Sequence, residues 1–262
     1  MTAGSASECD ATPAWPGGSL LTKTSYGEPR RKAAVTATDV IDVAVALTAE
    51  QGLDHWTIRE LTERLDAWPQ AIYHHIGSRE MVVHAVVERV VSSIPLPDPD
   101  LGWRSWFREL VFGMRPVLRA HRGVARRLAV HGPGVASALP IIDQGIRKLL
   151  DAGLGEQEAT AAYAVLLNGG LMPLVVDDES ARRGVQADGP DLQALVARAD
   201  GGPGAPPGEG EGLRVFAASL GRLNDSEVSR VAFAEQFYAY TVERILDGVA
   251  VRIEAVREAG SM

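Results

Sequence analysis

At 262 residues, 46% hydrophobic and 23% charged, the chain can form one large or two ordinary domains with real cores, and its composition excludes an intrinsically disordered protein. The net charge of −8 opposes indiscriminate attraction to phosphates, so any contact with DNA must rest on local geometry. With no apolar run expected to reach the roughly 18 residues that span a bilayer, no secretory signal in residues 1–19 and Cys9 as the one cysteine, the expected home is the cytoplasm and no membrane partner is expected.

Residues 1–32, rich in Gly, Ser, Pro and Thr, have no helical period and read as a mobile tail. From Thr38 the period changes: Val40, Ala44 and Leu47, flanked by Ile41 and Val45, predict a helix closed by Gly52. Thr57 with Glu60 three residues on has capping-box spacing, and Ile58, Leu61 and Leu65 form the buried stripe of a second helix. After the turn Asp66-Ala67-Trp68, Pro69 suits the first position of a third helix, with Ile72 and Ile76 inward and Gln70, Ala71, Tyr73, His74 and His75 outward. Ser78 caps a fourth helix, with Glu80 in its first turn and Val82, Val83, Val86, Val87 and Val90 on its core side. It ends near Ser92, because Pro95-Leu96-Pro97-Asp98-Pro99 cannot be helical, and that stiff segment marks the expected boundary between a domain over 33–93 and one over 94–262.

Helical patterns continue over Trp103–Ala120, Arg122–Val130, Ala136–Ala152 and Glu156–Val176, more weakly over Asp191–Ala199, and from Ser226 to about Glu258. A Gly/Pro insert occupies 201–212, and the paired Gly169-Gly170 before Pro173 predicts a kink or a close backbone approach. The fold class is therefore all-α. Phe233, Phe237, Tyr240, Val242, Ile245 and Val249 repeat along one side of the last helix and, with Ala161, Ala164 and Val165, suit a helical dimer bundle.

Two short helices joined by a tight turn can present the second one to the major groove of DNA. Thr57-Ile58-Arg59-x-Leu61, Pro69-Gln70, Ile72-Tyr73-x-His75 and Ser78-Arg79-x-x-Val82, taken together, resemble the DNA-binding domain of TetR-family repressors over residues 36–93. A weaker likeness to the tetracycline-repressor branch continues through Gly102-Trp103, Arg115, Leu118, His121-Arg122 and Val175-Val176-Asp177-Asp178. The resemblance implies a homodimer with a C-terminal four-helix interface, a double-stranded palindromic operator, and an apolar small-molecule cavity coupled to the spacing of the two recognition helices.

It further implies that Thr57 and the first amides of the second helix hold a phosphate, and that Arg59 reaches the backbone or a guanine edge. Gln70 and Ala71 would meet bases, Tyr73, His74 and His75 phosphates and sugars, and Arg79 would stand in for a phosphate-binding lysine. Asp66 replaces a common turn glycine, and aspartate tolerates that backbone. Trp68 is unusual before the helix and bears on base preference. Arg30, Arg31 and Lys32 are either a solubilising patch or an arm entering the minor groove. An arm predicts that truncating these residues flattens the salt dependence of DNA binding by roughly one unit per lost phosphate contact; an unchanged slope leaves the patch.

Tetracycline repressors hold a magnesium–drug chelate through two histidines and a nearby acid. The matching positions here are Ile94 or Pro95, Leu128 and Asp177, so neither a metal nor another cofactor is expected, and Asp177-Asp178-Glu179 reads as a solvated helix end. Ligand-lining candidates are Leu110, Met114, Leu118, His131, Leu167, Asn168 and Met172, for a mainly apolar and even polycyclic or macrocyclic compound; each also suits ordinary core. No phosphate loop, nucleophile elbow or paired metal motif points to an enzyme. A helical protein that sequesters a metabolite without reading DNA is the alternative to a ligand-released repressor.

Overall fold

The computed structural model describes residues 35–183 and 227–260, together with Gly212, Val215, Phe216 and Ala218. The expected tail with Arg30, Arg31 and Lys32, the weak helix at 191–199, the insert at 201–212 (Gly212 apart) and the expected caps Asp225 and Ser226 lie outside the described residues. Among the described residues are nine α-helices, one 3-10 turn and no strand, which is the all-α class that the periodicity predicts.

The first four helices are α1 (Ala37–Gln51), α2 (Ile58–Leu65), α3 (Pro69–His75) and α4 (Arg79–Ser92). Helix α1 opens one residue before the expected start, because Thr36 makes a reciprocal cap: its hydroxyl accepts from the Asp39 N–H at 3.2 Å, and Asp39 accepts from the Thr36 N–H at 2.8 Å. Thr57 and Glu60 repeat that box on α2, and Ser78 accepts from the Met81 N–H at 3.2 Å to start α4. Each such cap is worth about 1 kcal/mol. Asp66 takes the left-handed conformation, φ 48 and ψ 41, that turns the chain from α2 into α3, and Pro69 follows in the first turn. Val40, Ala44, Leu47, Trp56, Leu61, Ile72, Val82 and Val86 are buried together beneath these helices.

The remaining elements are α5 (Trp103–Ala120), α6 (Val124–His131), a 3-10 turn (Ala136–Ala138), α7 (Leu139–Asp151), α8 (Glu156–Arg183) and α9 (Glu227–Gly260). Helix α6 starts two residues later than expected because Gly123 is left-handed at φ 90, and α7 starts later because 136–138 winds as 3-10. Helix α8 runs on past Val176. Asp178, expected on a solvated helix end, instead accepts the Gly123 N–H at 2.8 Å and pins the turn before α6. Gly169-Gly170 is explained by close approach within a continuous helix: a Cβ on Gly170 would lie 2.6 Å from Met114 Cε and Val111 Cγ1, and one on Gly169 2.1 Å from Ile245 Cδ1.

One expectation is corrected here. Residues 159–176 carry no charge, and α8 is long and apolar enough to cross a membrane by length and composition, with a mean hydropathy of 1.6 over its best window. Its position accounts for part of that composition: one side of α8 packs against α5, α6, α7 and α9, while Val165, Met172 and Val176 remain exposed on the other. Helix α9 is held to α5 by a row of ion pairs, Arg104 with Glu243 and Asp247, Arg108 with Glu243, and Arg119 and the buried Arg115 with Glu235. The Arg115 guanidinium also lies 4.2 Å from the Tyr238 ring centre, and the Tyr238 hydroxyl donates to the Val111 carbonyl at 2.8 Å.

Candidate functional site

Two sites emerge, a surface on α2 and α3 and a cavity behind α4. On the surface, Ile72 anchors α3 inward while Gln70, Tyr73, His74 and His75 are exposed, as their spacing predicts. The His74 and His75 rings meet edge to face at 5.4 Å. Ala71 belongs to α3, and the surroundings of its side chain lie outside the described residues. Arg59 is exposed and paired with Glu63 at 2.8 Å, a solvent-facing contact of the kind that holds a side chain only weakly.

Two positions differ from expectation. The Thr57 hydroxyl and N–H both donate to the Glu60 carboxylate, at 2.9 and 2.7 Å, so its hydroxyl already has a partner where a phosphate was expected. Those same bonds hold the Glu60 carboxyl below its usual range. Arg79, expected to face phosphate, turns toward the loop between α1 and α2. It reaches the carbonyls of Leu53, Asp54 and Trp56 at 3.4, 3.5 and 3.2 Å, and its guanidinium lies 4.8 Å from the Trp56 ring centre. The cause is spatial: the start of α4 stands beside carbonyls that no helix ladder satisfies, and a guanidinium has donors enough for several.

The cavity, of about 200 Å³, lies between α4, α5, α6, α7 and α8. Leu110, Met114, Leu118, Leu167 and Asn168 line it as expected. Met172 does not; it lines an apolar groove between α8 and α9. His131 is exposed and lines neither, because α6 presents Leu128 and Ala129 inward and ends at His131. Ile94 and Leu128, the positions matched above to metal-binding histidines, both line the cavity and make that wall apolar. Tyr163 and Asn168 supply the oxygen and nitrogen atoms among its side chains, and burial pushes the Tyr163 phenol up to about 12, so it stays protonated at neutral pH. Asp177 lies on the α8–α9 groove instead, its carboxyl raised by burial against the opposing pull of Arg119 and Arg115. Among the described residues no three His, Cys, Asp or Glu side chains gather as a metal site.

Polar contacts that local sequence does not reveal tie the two sites together. His84 on α4 bonds the Gly134 carbonyl at 3.0 Å, and Glu88 on α4 accepts the Ser137 N–H at 3.0 Å, so the segment after α6 hangs on the helix that follows the helix-turn-helix unit. Asp54, in the loop before α2, accepts from Arg126 on α6 at 2.9 Å and Arg182 on α8 at 3.0 Å. Arg127 on α6 pairs with Glu80 on α4. Burial raises the Asp54 carboxyl, but the bonds from Arg126 and Arg182 outweigh it and leave a net lowering. A carboxylate with a lowered folded pKa stabilises fully above its unfolded value and loses that contribution as pH falls through the folded value. Acid should therefore destabilise the native chain more steeply than Asp54→Asn below about pH 4, read as urea midpoints against pH; parallel profiles would show that the bridge contributes nothing.

The second apolar surface is the groove of about 740 Å³ between α8 and α9, with Val165, Met172, Val176, Phe233 and Phe237 on its walls. Phe233 and Phe237 stack with centroids 6.1 Å apart, and Tyr240 stands exposed beyond them. Val242 and Val249, expected on this face, point into their own chain and are buried; Ile245 lines the groove. Apolar residues thus occur on two sides of α9, which periodicity alone does not separate.

This is an all-α architecture in which a helix-turn-helix unit is followed by a larger set of helices. Residues 40–86 match the family described as bacterial regulatory proteins, tetR family. It is 32% identical over 132 residues to the class A tetracycline repressor protein from transposon 1721 of Escherichia coli, covering 48% of this chain and 60% of that one. An HTH-type transcriptional regulator of Saccharopolyspora erythraea is 25% identical over 159 residues, covering 56% of this chain and 67% of the other. The chain thus spans well under the full length of the class A relative. Among solved structures, the Streptomyces coelicolor TetR family protein ActR in complex with actinorhodin superimposes with a TM-score of 0.64 at 19% identity, covering 84% of this chain and 98% of that one, and so shares its fold.

Proposed function

We propose that this chain is a transcriptional repressor that binds a palindromic double-stranded operator as a homodimer and is released by a small, largely apolar compound. We assign DNA binding to residues 33–93 and ligand binding and dimerisation to 94–262. The observation that carries this reading is the double role of α4. Its inner face packs on α1 beneath the recognition unit, while Val91, with Ile94 just beyond its end, lines the cavity. A ligand that moves α6 or the segment at 132–137 must act on α4 through His84, Glu88 and Glu80, and on the loop before α2 through Asp54.

The mechanism is a population shift: DNA selects one spacing of the two recognition helices and the ligand another, so each weakens the other by the same factor. The class A tetracycline repressor relative supports repression as the direction of control. A cavity of about 200 Å³ is below the usual 300–1,000 Å³ of ligand pockets. It suits a compound of one or two rings; a polycyclic or macrocyclic ligand requires the Gly132–Gly134 segment to open. Tyr163 and Asn168 would orient a single polar group. The α8–α9 groove is the surface we assign to self-association, which a helix of 34 residues needs along its open side. We read the chain as a cytoplasmic binding protein and not as an enzyme.

The test is selection of bound fragments from the source genome, followed by fluorescence anisotropy of the best fragment at several salt concentrations. One palindrome bound tightly by a dimer, and released by a compound that the chain retains, is the expected result. Weak binding blind to sequence would defeat the repressor reading.

A further inference from the structure

Tyr163 and Tyr238 both sit among the helices that follow α4, and they differ in what their hydroxyls do. Tyr238 is buried and donates to the Val111 carbonyl at 2.8 Å. Tyr163, half-buried on α8, makes no hydrogen bond to a described residue, and burial alone raises its phenol. Its ring is nevertheless closely seated. It meets Phe107 edge to face at 6.2 Å, and Gly145 within α7 leaves room for it: a Cβ there would lie 2.8 and 2.9 Å from Tyr163 Cε2 and Cδ2. Glycine weakens a helix interior, so its place in α7 goes with the ring that it admits. Phenylalanine would pack equally well without a hydroxyl in need of a partner. Nor is the phenol oxygen sealed in the packing: the sealed and unpartnered side-chain atoms among the described residues are those of Trp106, Arg115 and Gln144. The space that Tyr163 lines is the cavity behind α4.

The rest of the wall narrows the occupant. No charged side chain lines the cavity, and Ile94, Leu110, Leu118 and Leu128 are typical of it. An ion entering there would lose its hydration with no opposite charge in return. The other polar side chain is Asn168, which is exposed and lines the α8–α9 groove as well. A phenol O–H donates well, and its oxygen accepts poorly because a lone pair is drawn into the ring. Given the reading of this cavity as the ligand site, we propose that Tyr163 is its specificity-determining donor and that the ligand is an uncharged carbonyl compound of one or two rings (a ketone, quinone, ester or lactone) whose carbonyl oxygen accepts from the phenol. A hydrocarbon of the same shape covers the hydroxyl without pairing it. A carboxylate pairs it but brings a charge that nothing on the wall compensates.

The experiment titrates the full chain and Tyr163→Phe, without DNA, with acetophenone and 1-tetralone, with their hydrocarbon counterparts ethylbenzene and tetralin, and with benzoate. At least one ketone should bind the native chain about tenfold more tightly than its hydrocarbon, and benzoate should bind at least about tenfold more weakly than acetophenone. Tyr163→Phe should bring ketone and hydrocarbon within about twofold of each other. It should hold the hydrocarbon as the native chain does, which shows that the cavity is intact. The carbonyl stretch of the bound ketone should fall in frequency in the native chain and return in Tyr163→Phe to its value in a hydrocarbon solvent. A residue that only packs would not move that band. Retention of neither ketone, a ketone preference that survives Tyr163→Phe, a carbonyl band alike in both proteins, or benzoate bound as tightly as acetophenone would each overturn the proposal. An operator selected by the native chain together with any of those outcomes removes the carbonyl site alone. The expected probe pattern with no operator selected keeps that site and removes the repressor reading.

Discussion

Gln70→Ala should weaken binding to the selected operator by about 2–6 kcal/mol, because an amide paired to a base contributes about 1–3 kcal/mol and a two-fold operator presents two copies. The folded chain should scarcely notice. Gln70 is exposed on α3, and alanine is the better helix former, so stability should change by no more than about 0.5 kcal/mol. The distinguishing readout is the pattern of the loss. With Gln70 gone, base changes at one symmetric pair of positions should cease to matter, while the dependence on salt stays as it was, since no phosphate contact is removed. In the proposed complex a residue that meets phosphate should behave in the opposite way. Tyr73→Phe should lower affinity for every sequence alike and leave the base preferences intact. Were Gln70→Ala to weaken specific and non-specific duplexes equally, α3 would not be reading bases through this residue.

Trp56→Ala should remove about 3–5 kcal/mol of stability, a large share of the 5–15 kcal/mol that holds an ordinary domain together. The indole is 1% exposed at the centre of the first four helices, and its Nε1 donates to the Thr48 hydroxyl at 2.9 Å. That hydroxyl in turn donates to the Ala44 carbonyl at 2.8 Å, so the side chain closes a short relay inside the core. Trp56→Phe separates the contributions. It retains much of the apolar volume, leaves Thr48 its own donation and deletes one bond, for a further cost of about 1 kcal/mol beyond the lost volume. Alanine also removes the ring beneath Arg79, whose contacts to three carbonyls hold the loop before α2. Operator binding should therefore fall together with stability. Urea unfolding at one fixed protein concentration measures the effect, since a dimer's midpoint moves with concentration. A loss under about 1 kcal/mol would show that this core repacks around the gap.

The contacts between the cavity and the helix-turn-helix unit include an ion-pair hub at Asp54 and a pair of α4 anchors, His84 and Glu88. None is visible in the chain as a pattern. Asp54 is one more charge among the acids of its region, and its partners lie 72 and 128 residues away. In the ligand response proposed above, these contacts make the outcome depend on how α6 and α8 sit against α4.

What the sequence determined by itself is local. Thr57 with Glu60, the left-handed Asp66, Pro69 at the start of α3 and Ser78 before α4 each follow from backbone groups within a few residues. The helix-turn-helix unit and its outward Gln70, Tyr73, His74 and His75 were legible for that reason. The tertiary structure decided which way longer helices face and what meets across them. It turned His131 outward and Leu128 inward, buried Val242 and Val249 in their own chain, drew Arg79 to the carbonyls of Leu53 and Trp56, and carried α8 beyond Val176 to set Asp178 against Gly123. The physical reason is that caps and turns satisfy hydrogen bonds inside one segment, whereas a helix with apolar residues on two sides has no preferred face until its neighbours are in place.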